Sequence, residues 1–262
     1  MRIVGSGFLA GHLSLIAHRH HDVVVFAAGV SRSGSVSHDG FDREAEAVRR
    51  TLDRCRAAGD RLVYFSTASS AVYGPRLRLG TEDGGVAPTS AYGRHKLAME
   101  ALISRHGAAH LILRLAYPAG PGQRSHQFLP AMVRQVAGGS VRVSRGARRD
   151  LIDVRDVVTI VDALLTAGVS DEVVNVASGF AAPVEDIVRH LEHRLGRVCD
   201  KQYADVPPDP PVSIAKLRAL APAVDGLGFH DAYYRAVVDR YLSATAAPAD
   251  VETLHGTTRR AT

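Results

Sequence analysis

Tryptophan is missing from this chain of 262 residues; cysteine occurs twice, methionine three times, and aromatic residues make up 6% of the total. The hydrophobic share of 46% is therefore mostly aliphatic, enough to bury one sizeable core. Cys55 and Cys199 lie far apart, which excludes a small disulfide-stapled scaffold. With no secretory signal pattern to be read, the expectation is a reduced, cytoplasmic setting. No apolar run approaches the length that spans a bilayer, so no membrane partner is expected. Nor does one sign of charge prevail. The 32 basic residues are spread along the chain against 27 acidic ones, a formal charge of +5. That balance reads as an arginine-rich surface suited to anionic small molecules such as nucleotides, and no nucleic-acid partner is expected. A repeat of fixed period and an internal low-complexity linker are absent as well.

What is present centres on Ser90 to Glu100 (SAYGRHKLAME), a segment that reads as a helix with Tyr92 and Lys96 four residues apart. One turn puts both side chains on the same face. An ammonium beside a phenol stabilises the phenolate, so Tyr92 is a candidate to exchange a proton with a carbonyl or carbinol oxygen. The ordinary reading of a lone Y-x-x-x-K is a solvated helix face. Upstream, Arg61 to Gly74 (RLVYFSTASSAVYG) is an apolar run breaking into hydroxyls, a buried parallel strand ending in a polar loop.

With these two stretches the sequence resembles the extended short-chain dehydrogenase/reductase family, the nucleotide-sugar epimerases, dehydratases and ketoreductases. The resemblance implies a catalytic set of Ser69, Tyr92 and Lys96, with Thr67 as rival to Ser69 and a substrate contact, because the loop is one residue longer than usual. Tyr92 would be the acid/base, Lys96 would tune it and hold the nicotinamide ribose, and Ser69 would hydrogen-bond the reacting oxygen. Family dehydratases carry an acid pair directly after the hydroxyl residue. Here Ser70 and Ala71 stand there, so no dehydration is expected.

The chain opens with Met1 to Leu13 (MRIVGSGFLAGHL), a strand, a glycine turn and a helix. Gly5-x-Gly7-x-x-Ala10 fits the dinucleotide fingerprint, with NADP or NAD as cofactor. Gly5 would permit the turn, Gly7 would let backbone approach a pyrophosphate, and Ala10 would pack helix on strand. Phe8 and Leu9 open the helix and are expected beside the cofactor. After His18-Arg19-His20-His21 comes Asp22 to Gly29 (DVVVFAAG), which matches the family's fourth strand and places Ala28 at the cofactor. The second and third strands have no room. With them goes the carboxylate that would bind the adenosine ribose, and the first strand is left at the sheet edge for a homodimer partner, a loop or solvent. The His-Arg-His-His run has three readings: a solvated helix terminus, a contact for an adenosine 2′-phosphate, or a metal site. Consecutive residues on a helix end point apart, which disfavours the metal, and none is expected. Arg32 is a further candidate for a cofactor phosphate.

Ala45, Val48, Leu52 and Cys55 recur at helical spacing from Asp42 to Gly59, so that helix packs one face on the sheet, Cys55 as core. His110 to Leu115 is another strand. Tyr117 and Ala119 replace the Asn and Tyr of the family's R-x-x-N-V-Y-G-P-G, which loosens the link to any one substrate. Arg148 to Val158 resembles the R-D-x-x-x-V-x-D-V segment, in which Arg149 would contact the diphosphate of a nucleotide-sugar. Its ordinary reading is a surface arginine. A helix begins at Phe128, a last strand lies in Asp171 to Gly179, and helices follow over Pro183 to Leu195 and Tyr233 to Leu242. Pro207 to Pro211 is an extended connector.

The fold class expected is α/β, a reduced Rossmann-type parallel sheet without its second and third strands, with a small C-terminal substrate lobe. The division is 1–118 for the dinucleotide domain, 119–245 for the interleaved substrate lobe and last strands, and 246–262 for a disordered tail. The function expected is an NAD(P)H-dependent ketoreductase acting on a keto-sugar, nucleotide-linked as the resemblance implies. The alternatives are an NAD-dependent nucleotide-sugar epimerase and a non-catalytic binding protein of the same fold.

Overall fold

Three apolar runs form the middle of a parallel sheet, seen in a computed structural model that describes residues 1–30, 38–75, 78–205 and 210–246. In chain order the strands and helices begin with β1 (Arg2–Val4), α1 (Phe8–Leu13), β2 (Val23–Phe26), α2 (His38–Ala58), β3 (Arg61–Thr67), the short α3 (Ser70–Tyr73), α4 (Ala91–His106) and β4 (His110–Leu115). Then follow β5 (Tyr117–Ala119), α5 (Phe128–Ala137), β6 (Ser140–Ser144), β7 (Arg148–Arg149), β8 (Leu151–Asp153), α6 (Val154–Thr166) and β9 (Glu172–Val176). The last are β10 (Ala182–Pro183), α7 (Val184–Leu195), β11 (Asp200–Ala204), α8 (Ala215–Leu220) and α9 (Tyr233–Ala246).

The main sheet runs β1-β2-β3-β4-β9, every neighbour parallel, as continuous apolar strands covered on both faces require. Register holds Val25 beside Val63 and Val63 beside Leu111. Because side chains alternate, Val25, Val63, Leu111 and Val174 face Ile160, Val161 and Leu164 of α6. Val24, Leu62, Tyr64 and Ile112 face Val48, Leu52 and Cys55 of α2 and Met99 and Ile103 of α4. Burying one such aliphatic side chain contributes about 1.5–3 kcal/mol. The expected α2 stripe is thus the buried one, and the thiol of Cys55 is core. A separate core joins α5, α7 and α9 to β6 and β8, with Leu129, Val141, Leu151, Ile187 and Val238 at its centre.

Parallel order sets the site, because the carboxyl ends of β1 to β4 come out on one edge of the sheet. β1 is outermost among the described residues, and between it and β2 lie only α1 and a 3₁₀ turn, Ser14–Arg19. The Arg32 candidate, most of the Pro207 connector and the expected tail beyond Ala246 fall outside the described residues, Ala246 itself being the last residue of α9.

Candidate active site

Four chain segments leaving β1, β2, β3 and β4 surround a cavity of about 910 Å³, with α4 closing one side. Ser90 caps α4, its hydroxyl accepting from the Gly93 N–H at 3.0 Å, and this fixes where the first turn carries Tyr92. Gly93 decides how closely that turn approaches. A Cβ there would lie 1.6 Å from the Ala71 carbonyl oxygen, so only glycine lets α4 sit against α3. Tyr92, Thr67 and Ser69 consequently line the same cavity.

Ser69 caps α3, its hydroxyl accepting from the Ala71 N–H, and lies 3.0 Å from the Thr67 hydroxyl. The two rival hydroxyls are one hydrogen-bonded pair. Among the described residues the Tyr92 hydroxyl has no hydrogen-bond partner, which leaves it open to an oxygen in the cavity. Burial pushes its pKa up, and the negative charge of Glu44 adds to that.

Lys96 shares the face of Tyr92, as the four-residue spacing requires, with Nζ 5.9 Å from the ring centre. Its surroundings were not legible beforehand. The ammonium donates to Glu44 Oε1 at 3.0 Å, to the Tyr64 hydroxyl at 3.0 Å and to the Phe65 carbonyl at 3.3 Å. Those three acceptors engage all three of its protons. Lys96 lines the cavity beside Tyr92 all the same. Glu44 is saturated in turn: Oε1 also accepts from Tyr64, and Oε2 accepts from the Val30 N–H at 2.7 Å and pairs with His95 Nε2 at 3.1 Å. Burial drives the Glu44 carboxyl up, but His95, Lys96, Tyr64 and Val30 outweigh it and leave the pKa at about 2. Burial likewise draws Lys96 down, with Glu44 opposing.

Sequence reasoning missed Glu44, Tyr64 and His95. One signal was there: Glu44 stands four residues before Val48, on the stripe of α2 that Val48, Leu52 and Cys55 bury, where a carboxylate needs a partner.

Of the expected cofactor residues, Gly7, Phe8 and Leu9 line the cavity. A Cβ on Gly7 would meet nothing within 4 Å, so the missing side chain leaves room for a ligand. Gly7 also caps α1 without a side-chain acceptor, so the first N–H groups of that turn stay available. The residues present fit the pyrophosphate end of a dinucleotide. Gly5 takes the positive φ that the turn requires, as expected, and does not itself line the cavity. At φ +116° a Cβ would approach the Ala27 carbonyl carbon and the Ala28 nitrogen to 2.9 Å, so Gly5 serves the packing of β1 against the end of β2. Ala28 is exposed and its neighbours Ala27 and Gly29 line the cavity in its place.

Arg149 lines the opposite wall, its guanidinium 5.1 Å from the Tyr117 ring centre and 5.6 Å from that of Phe128. The residue that replaced the family's Asn thus supports the arginine. Arg19 and His20 turn elsewhere: both pair with Asp162 on α6, His20 at 2.8 Å, and neither lines the cavity. Their expected reach toward a 2′-phosphate is not what the structure provides.

The family model for the NAD dependent epimerase/dehydratase family matches residues 13–177. The chain belongs to that family. Among curated relatives, a UDP-glucose 4-epimerase of Azospirillum brasilense is 29% identical over 245 residues, covering 82% of this chain and 70% of the relative. The chain spans between 62% and 70% of the length of the curated relatives it matches. Among solved structures, MoeE5 in complex with UDP-glucose and NAD superposes with a TM-score of 0.75 at 23% identity, over 93% of this chain and 97% of that one. RMD from Pseudomonas aeruginosa complexed with NADPH gives 0.73 at 20% identity, over 94% and 99%. These likenesses establish the Rossmann-type parallel fold, and the nicotinamide class of cofactor accords with the family's NAD dependence. Among the described residues no helix is long and apolar enough to cross a membrane.

Proposed function

We propose that this chain oxidises and reduces a carbinol or carbonyl carbon of a nucleotide-linked sugar with a nicotinamide dinucleotide, and that its net reaction is epimerisation. The carrying observation is that Tyr92, the Thr67–Ser69 pair and the Gly7 turn open onto one cavity. The epimerase of Azospirillum brasilense supports the finer reading. A bound dinucleotide would take up and return hydride there.

Tyr92 would exchange a proton with the sugar oxygen, and Ser69, oriented by Thr67, would donate a hydrogen bond to that oxygen. Arg149, held over two rings, would meet diphosphate oxygens with its planar fork. Ser70 and Ala71 supply no acid for a leaving hydroxyl, so dehydration is not part of the proposal.

One observation favours a second reading, net ketoreduction. β1 is the outermost strand among the described residues, and no carboxylate was found in the sequence to hold an adenosine ribose. Losing a charged hydrogen bond weakens binding by about 1.5–3 kcal/mol, which suits a cofactor that enters reduced and leaves oxidised. The test is to incubate the purified protein with UDP-, dTDP- and GDP-hexoses and their keto forms, with NAD and with NADPH, and to separate the products. An epimer formed without net change in reduced nicotinamide supports epimerisation. Stoichiometric loss of NADPH with a keto-sugar establishes the second reading, loss of water contradicts the exclusion of dehydration, and failure to bind either dinucleotide rejects both in favour of a binding protein.

A further inference from the structure

Asp150 follows Arg149 directly, does not line the cavity and has no role in the reading above. It is 5% exposed, and its two carboxylate oxygens take three donors. Oδ1 accepts from the Ser178 N–H at 2.8 Å and from the Ser178 hydroxyl at 2.7 Å, and Oδ2 accepts from the Gly179 N–H at 2.9 Å. Its main-chain carbonyl accepts from the Tyr117 N–H at 3.0 Å. Ser178 and Gly179 belong to the turn that joins β9 to β10, and β10 pairs antiparallel with β7, which sets Ala182 opposite Arg149. On the other side β5 pairs with β8, which sets Tyr117 opposite Leu151. Asp150 therefore fastens the chain that carries Arg149 at two places. Its side chain holds the turn before β10, and its main chain holds the strand of Tyr117, the ring against which the Arg149 guanidinium packs.

We propose that Asp150 is a positioning residue for Arg149: by locking the Ser178–Gly179 turn against the β7–β8 segment, its carboxylate sets where the guanidinium meets the diphosphate of a nucleotide-linked sugar. This rests on the reading that Arg149 meets that diphosphate. The arrangement needs a carboxylate, because three donors converge on two oxygens that carry no proton. An amide of the same shape turns an N–H toward one of those donors, and a buried donor left without an acceptor is costly. A planar guanidinium meets phosphate oxygens in a directional fork, so a small shift of Arg149 loosens the sugar nucleotide. The Gly7 turn and Tyr92 are carried by other elements, at the start of α1 and on α4. The effect of Asp150 is accordingly confined to the nucleotide-sugar and spares the dinucleotide.

The experiment measures two affinities on the full chain by titration: that for the tightest binder among UDP-, dTDP- and GDP-glucose, and that for NADH by its fluorescence. Circular dichroism follows the fold. Arg149→Ala should weaken the nucleotide-sugar at least tenfold, and Asp150→Asn about tenfold, with NADH within twofold of wild type in both. The double variant should be no weaker than Arg149→Ala alone, since Asp150 acts through that arginine. A folded Asp150→Asn protein with unchanged nucleotide-sugar affinity overturns the proposal. So does an equal loss of NADH affinity, or losses that simply multiply in the double variant, because either marks a general structural role. Should Asp150→Asn fail to fold, Ser178→Ala decides: it removes one donor to Asp150, keeps both backbone ones and should weaken the nucleotide-sugar about threefold, and no change overturns the proposal. Wild-type affinity in Arg149→Ala, or a wild type that binds none of the three sugars, instead overturns the diphosphate reading and the proposal with it.

Discussion

Thr67 Oγ1 and Ser69 Oγ lie 3.0 Å apart at the carboxyl end of β3, so a hydrogen bond between them orients whichever hydroxyl meets the substrate. Since Ser69 also caps α3, its removal has a structural cost that Thr67→Val does not share.

Turnover should separate these roles. Tyr92→Phe removes the proton donor and keeps the ring, and is expected to lower kcat by ~10² or more with dinucleotide affinity unchanged. Ser69→Ala should lower kcat and cost about 1 kcal/mol of stability through the lost cap. Thr67→Val should lower kcat less than Ser69→Ala. Steady-state kinetics beside thermal unfolding checks all three, and full activity of Tyr92→Phe would remove it from the chemistry.

Gly7→Val tests the turn that follows β1. Space beyond Gly7 is empty of protein, so the added side chain should fill the cavity wall, weaken dinucleotide binding at least tenfold and leave thermal stability within about 0.5 kcal/mol. Cofactor fluorescence titration is the readout. Unchanged affinity would place the dinucleotide elsewhere.

At Gly93 the obstacle is backbone. A methyl group would meet the Ala71 oxygen at 1.6 Å, so Gly93→Ala must push α4 from α3 and carry Tyr92 away from Ser69. Overpacking of this kind costs about 1–3 kcal/mol or more, and kcat should fall with it. Gly11, where an added Cβ meets nothing within 4 Å, provides the control: Gly11→Ala should be neutral or stabilising in the same unfolding assay.

Acid should expose the Glu44 cluster. Its folded pKa of about 2 lies below the ordinary glutamate value of about 4.5, so the carboxylate binds protons less readily folded than unfolded. The stabilisation is present above about pH 4.5 and is lost as pH falls toward about 2, on the order of 3 kcal/mol at about 1.4 kcal/mol per unit. Urea unfolding across that interval should show a slope that the Glu44→Gln, Lys96→Met double variant lacks. An equal slope in both would assign the acid sensitivity to other carboxylates.

The amino-acid order by itself determined the elements and the local geometry of the site. Apolar runs of strand length, the Val48-Leu52-Cys55 stripe and the helical segment from Ser90 to Glu100 fixed β3, β4, α2 and α4, and four-residue spacing put Tyr92 and Lys96 on one face, since each of these depends on neighbours within a turn or two. The glycine turn was legible in the same way, and Gly7, Phe8 and Leu9 do line the cavity. Tertiary structure decided what those side chains meet. Glu44 lies 52 residues from Lys96, and their pairing depends on α2 and α4 packing side by side on one face of the sheet. Arg19 meets Asp162 across 143 residues, which no local pattern foretells. Gly5 proved to answer to Ala27 and Ala28, and Tyr117 to Arg149, for the same reason. Hydrogen bonds and charges act over a few ångströms, and which distant residues come that close is set by the order and register of the strands.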